Sequence, residues 1–222
     1  MSRRALALVA FLVLVTLLPV RTGAADTFRV PAPVTRTLSN GLEVAVFPSS
    51  RLAIVQMQLL IPAGAADDPR GHAGLAHLTA EMLVQGTTSR SATRYAEELE
   101  RLGGSVTASA TRDYTTLSGA FLARDFESGL DLMSDAVLNP LFPDEELTRV
   151  KVRVARSVLQ LRQSPPGIAD ENIWGLLFRG GAYGQSPYGE LDSLAAVKRG
   201  ACATSIARGT RPTTPSSRSP AT

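Results

Sequence analysis

Hydrophobic and polar positions recur along this chain at two different periods. Two short alternating runs, 35–38 and 42–47, flank Asn40-Gly41, a dipeptide suited to the positive φ of a tight hairpin turn. A third strand is predicted over 53–61, where Gln56 and Gln58 alternate with apolar neighbours until Pro62-Ala-Gly64 ends the run. The period then lengthens. Apolar side chains fall at helical spacing over 74–83, and again over 92–102 between a Ser91 cap and a Gly103-Gly104 stop. Strands over 105–110 and 115–122, joined by Thr111-Arg-Asp-Tyr114, read as a second hairpin. Helices follow over 126–138 and 144–163, the second entered through Phe142-Pro143 and ended near Pro165-Pro166, with a helical or turn segment at 191–197. Trp174, Leu176, Leu177 and Phe178 are expected to form a core-facing helix side, and Glu97, Glu98, Glu100 and Arg101 a solvated one. The predicted fold is α+β, an antiparallel sheet with helices packed on one face.

The two ends follow other rules. Met1-Ser-Arg-Arg4 is a short cationic start, residues 5–20 are uncharged and apolar, and Thr22-Gly-Ala-Ala25 supplies small residues for cleavage after Ala24 or Ala25. That pattern predicts a signal peptide over 1–25, export to a periplasmic or extracellular space, and no stable membrane anchor once it is removed. From Gly200 the chain has neither an acid nor an aromatic, and its one large apolar residue is Ile206, so 200–222 is expected to be disordered or out of frame. Between them, 26–199 reads as one domain cut short rather than finished. The chain's single cysteine, Cys202 in the tail, excludes an intrachain disulfide framework despite export.

Charge changes the picture once it is located. The formal net charge is +3, from 23 basic and 20 acidic residues. Six of the arginines lie in the two acid-free ends, so the body carries 17 basic residues against 20 acids and offers no basic footprint for nucleic acid.

Both histidines sit in one segment, Asp67-Asp-Pro-Arg-Gly-His72-Ala-Gly-Leu-Ala-His77-Leu-Thr-Ala80-Glu81-Met-Leu-Val-Gln-Gly86-Thr87. The order Gly-Leu-Ala-His, four helical residues, Met-Leu and Gly-Thr resembles the N-terminal domain of the insulinase/pitrilysin family of zinc metallopeptidases. The likeness continues through Tyr95-Ala-Glu-Glu-Leu-Glu-Arg-Leu-Gly-Gly104, Leu138-Asn-Pro-Leu-Phe-Pro143 and Tyr183-Gly-Gln-Ser-Pro-Tyr-Gly189, about 34–198 in all. It implies the family's half-domain fold.

Active members carry H-x-x-E-H on a helix, two zinc-binding histidines one turn apart with a glutamate base between them. By this resemblance the first histidine is His77, but the base position is Ala80 and the second-histidine position is Glu81. The third ligand, a glutamate about 76 residues further on, falls at Ser157, inside an acid-free stretch from Leu147 to Ala169. Only a relic metal site, His77 and Glu81, remains, and no zinc is expected. Tyr114 lies on the strand that borders the family's peptide cleft. His72 reads as a loop residue beside Gly71. The resemblance thus implies a non-catalytic subunit of the bacterial paired type, which assembles with a catalytic insulinase-family partner and helps enclose an extended peptide by strand addition. The alternatives are a zinc endopeptidase using a non-standard set that includes His77 and Glu81, and a non-functional gene fragment.

Overall fold

A computed structural model describes residues 32–49 and 51–210, so the signal-peptide segment and the residues from 211 onward lie outside the described residues. The first hairpin pairs β1 (Val34–Thr37) with β2 (Glu43–Val46). Its turn is built by Gly41 at φ +85°, with the Leu38 amide donating to the Leu42 carbonyl (2.8 Å) and the Leu42 amide to Asn40 Oδ1 (3.1 Å). The main sheet has the order β3-β5-β4, all antiparallel: β3 (Ile54–Ile61), β4 (Ser105–Ala110) and β5 (Thr115–Leu122).

Strand periodicity sorts the two faces of this sheet. Leu59, Leu117 and Ala108 lie side by side on the face that meets the helices, whereas Gln58, Ser118 and Thr107 share the opposite face. The alternation expected for Gln56 and Gln58 is observed, both being exposed. The inward residues Ile61, Val106, Leu117 and Phe121 join α1 (Leu75–Leu83), α3 (Phe126–Leu138) and α4 (Asp144–Leu161) in one hydrophobic core. Helix α2 (Ala92–Arg101) adds a satellite through Tyr95, which packs on Leu132 and Ala136. Ser91 caps α2 by accepting from the Arg94 amide, as its sequence position predicts. The fold is therefore the predicted α+β layer.

Two expectations do not hold. Residues from Gly200 are not unstructured throughout: α7 (Arg199–Gly209) is helical and packs on α1. Its Cys202, Ile206 and Gly209 are buried, and a Cβ at Gly209 would fall 2.5 Å from Ile61. A stripe of one thiol, one isoleucine and small residues, too sparse to stand out in composition, suffices when the facing surface is already apolar. The second correction concerns α5 (Pro165–Leu177), which buries none of its residues; Leu177 is 71% exposed. Instead of entering the core, Trp174 stacks with Phe178 and Tyr183, and the Arg112 guanidinium lies 4.2 Å from its ring centroid. Lys151 of α4 ties down α6 (Leu191–Ala196) by donating to the Ala195 and Val197 carbonyls (2.9 and 2.5 Å).

Glu98, expected on a solvated face, belongs to a polar hub between α2 and α3. Arg90 donates to Glu98 (2.8 Å), Asp131 (2.6 Å) and Asp135 (2.6 Å), its own side chain being 18% exposed. Asp135 also accepts from Thr87, Ser89 and Asn139. Burial pushes the Asp135 carboxyl up, but these hydrogen bonds outweigh it and hold the group well below the usual carboxylate range. Its contribution to stability is then full above the unfolded carboxyl's value near 3.8 and is lost as the pH falls through the lower folded one. Arg90→Ala leaves Asp135 buried without its cation, and a loss of about 3 kcal/mol is expected in urea unfolding at neutral pH. That loss should shrink below pH 4, where Asp135 is neutralised in the unfolded chain.

Candidate functional site

The site begins with how α1 is anchored. Asp68 accepts from the Gly74 amide (3.0 Å) and the Ala76 amide (2.9 Å), satisfying donors that the first turn of a helix leaves open. Burial nevertheless pushes the Asp68 carboxyl up to about 7, against the pull of these amides. Gly74 and Gly189 both adopt the left-handed region, at φ +87° and +84°, and a Cβ on Gly74 would lie 2.7 Å from the Gly189 Cα. Only glycine allows that approach. It seats the 186–190 segment on the start of α1, and the Tyr188 ring meets His77 edge-on, with centroids 5.4 Å apart and planes at 82°.

Two of the residues of α1 are not buried, His77 and Glu81, and at i, i+4 they share one face. Ala80 points elsewhere and is fully buried. Glu81 is not left to His77. Its carboxylate takes a 2.6 Å ion pair from Arg153 of α4, with the two side chains 30% and 54% exposed. Ser157, one turn after Arg153, is exposed, its Oγ lying 3.3 Å from the Arg153 carbonyl. Such a pair, open to solvent, stabilises the fold by only about 0.5 kcal/mol, so its effect is local: it brings the Arg153 guanidinium to the exposed stripe of α1. Burial holds the His77 imidazole below its ordinary value; Glu81 draws it up and Arg153 pushes it down.

A family model described as insulinase, peptidase family M16, matches residues 44–190. The chain belongs to that family. An "Uncharacterized zinc protease" of Rickettsia felis is 22% identical over 162 residues, 73% of this chain and 39% of the relative. The mitochondrial-processing peptidase subunit alpha of Solanum tuberosum is 29% identical over 150 residues, 68% of this chain and 29% of that protein. A crystal structure described as a peptidase M16 inactive domain from Pseudomonas fluorescens superposes with a TM-score of 0.72 at 23% identity, over 78% of this chain and 42% of that one. The chain thus spans less than half the length of these relatives.

For this insulinase-family domain the fit of a zinc ion can be tested on the side chains present. A protein zinc site needs three or four nitrogen, sulfur or carboxylate ligands around one point. Among the described residues no group of three His, Cys, Asp or Glu side chains converges in that way. His77 and Glu81 share a face, but Glu81 already carries the Arg153 guanidinium, a positive charge that repels a metal ion. Among the described residues, the side chains around His77 do not fit zinc.

The remaining sequence candidates lie apart. Tyr114 ends the turn between β4 and β5, exposed, with its carbonyl accepting from Thr111, and no hydrogen bond or ring contact joins it to His77. His72 is half-buried in the loop before α1, with Nδ1 3.4 Å from the Arg70 carbonyl, and borders a separate cleft of about 460 Å³ beside Asp67, Leu75 and Arg208. Arg153 and Tyr188 were not singled out by the sequence. Arg153 was within reach of reasoning, because it stands four residues before Ser157 and so faces the same way on α4. Tyr188 had no such signal beyond its glycine neighbour.

His77 should titrate below its ordinary 6.5 in a histidine NMR titration, and Glu81→Gln, which removes the charge that draws it up, should lower it further. Because the folded value lies below the unfolded one, this histidine favours folding at neutral pH, and that contribution is lost as the pH falls below 6.5.

Proposed function

We propose that this chain is a non-catalytic member of the insulinase family, exported from the cell that makes it, which holds an extended peptide and works beside a catalytic zinc-peptidase subunit. The observation that carries this reading is the Glu81–Arg153 ion pair. By the resemblance to active members, Glu81 stands at a metal-ligand position, and here it answers an arginine instead. Ala80, at the position of the base, has no proton acceptor, and Ser157 replaces the third ligand in a stretch from Leu147 to Ala169 without an acid. Loss of a positioned base alone costs about two to four orders of magnitude in rate. The H-x-x-E-H chemistry is therefore degenerate in this chain, and no zinc is required for its role.

Support for a peptide-holding role comes from the sheet. Among the described residues β4 is paired on one side only, with β5, and it packs against α1. An extended segment can add to such an edge through main-chain hydrogen bonds without any catalytic group. The description of the Pseudomonas fluorescens relative as an inactive domain, and of the Solanum tuberosum relative as one subunit of a processing peptidase, are in keeping with a non-catalytic chain beside a catalytic one. The signal-peptide pattern over 1–25 supports export.

Elemental analysis and a peptidase assay test this together. The purified chain and its His77→Ala variant should both hold near-zero zinc, and neither should cleave an unstructured fluorogenic peptide with zinc added. One zinc per chain lost in the variant, or cleavage stopped by a chelator, would overturn the reading.

A further inference from the structure

The Arg153 guanidinium gives one terminal nitrogen, Nη2, to Glu81 and leaves the rest of its donor fork at the surface, since the side chain is 54% exposed. Guanidinium presents five N–H donors in a fixed plane, so the contact made by Nη2 leaves the donors of Nη1 and Nε for another acceptor. The anchoring carboxylate sits on α1, most of whose side chains are buried, so Glu81 draws the exposed guanidinium towards a fixed helix.

We propose that this outward edge of Arg153, oriented by Glu81, is a hydrogen-bonding anchor for a main-chain carbonyl of an extended peptide. The inference rests on the peptide-holding role above and goes further by naming the group that does the holding. Charge selects the carbonyl. The pair with Glu81 is electrically neutral as a unit, which suits an uncharged acceptor, while a free carboxylate at the same edge would also meet the negative Glu81. Position agrees with this choice. Helix α1, which carries Glu81, also packs on β4, whose edge is open to strand addition. Tyr188, 44% exposed and seated edge-on against His77, supplies apolar surface on the same stripe. Arg153 is thus a binding residue, and Glu81 its positioning residue.

The test is fluorescence anisotropy of the full chain with a fluorescein-labelled, unstructured peptide, its N-terminus acetylated and its C-terminus amidated, measured with and without EDTA. Wild type is expected to bind. Arg153→Ala should weaken binding about tenfold, the effect of losing one charge-assisted hydrogen bond, with an unchanged circular dichroism spectrum. Arg153→Lys, which can keep the pair but not the fork, should fall between the two. Glu81→Gln frees the full positive charge, so it should favour the same peptide with a free C-terminal carboxylate and make binding salt-sensitive, whereas wild type should not distinguish the two termini. If Arg153→Ala and Arg153→Lys bind as tightly as wild type, the anchor is refuted and the peptide-holding role survives. If wild type binds no peptide, that role falls and the anchor with it. Binding abolished by EDTA would refute the anchor in favour of a metal. Should Arg153→Ala fail to fold, Arg153→Lys and the terminus preference of Glu81→Gln decide.

Discussion

Seven of the nine side chains of helix α1 are buried, and the site inherits its form from that enclosure. A helix so short has no independent stability in water. It persists because the sheet, α4 and α7 surround it, and because Asp68 and the glycine contact secure its first turn. With all other faces occupied, His77 and Glu81 are left as a single polar stripe one turn long. Whatever chemistry that stripe performs is held with the rigidity of the core behind it.

The two arginine clusters show how differently one side chain can be employed. Arg90, 18% exposed and surrounded by Glu98, Asp131 and Asp135, has its donors taken up within the protein and clamps α2 to α3. Arg153 meets one carboxylate and stays half in water. The first arrangement is costly to disturb and silent towards ligands. The second contributes little to stability and keeps hydrogen-bonding capacity in reserve.

Strands and helices were legible in the sequence wherever period and punctuation agreed. The Asn40-Gly41 turn, the alternating glutamines of β3, and the Ser91 cap each have one local cause, and the structure shows each. Failures came where tertiary surroundings decided. The α7 segment was too small and polar for its composition to predict order, yet Cys202 and Ile206 met a surface already apolar. The aromatic run from Trp174 to Phe178 had the composition of a core, but its rings close on one another and on Arg112 outside it. At the site, the sequence placed His77, Ala80, Glu81 and Ser157 on their helices. Spacing from Ser157 gives the face of α4 on which Arg153 lies, but its pairing with Glu81 joins two residues 72 positions apart and shows only in the fold. Tyr114, drawn from the same strand pair, stays with its own turn.

The contact between Gly74 and Gly189 also sets how the segment before α6 can part from α1. With a Cβ at either position excluded by the backbone opposite, the segment bearing Tyr188 rests on α1 through main-chain atoms, which have no rotamers to swing aside. The exposed Tyr188 ring can turn from His77 by itself, whereas the 186–190 backbone can therefore leave α1 only as a unit. Hydrogen exchange would register that event as a shared local opening of the segment and the first turn of α1. Parting the two backbones is then a cooperative event, slower than the flip of the tyrosine ring that meets His77.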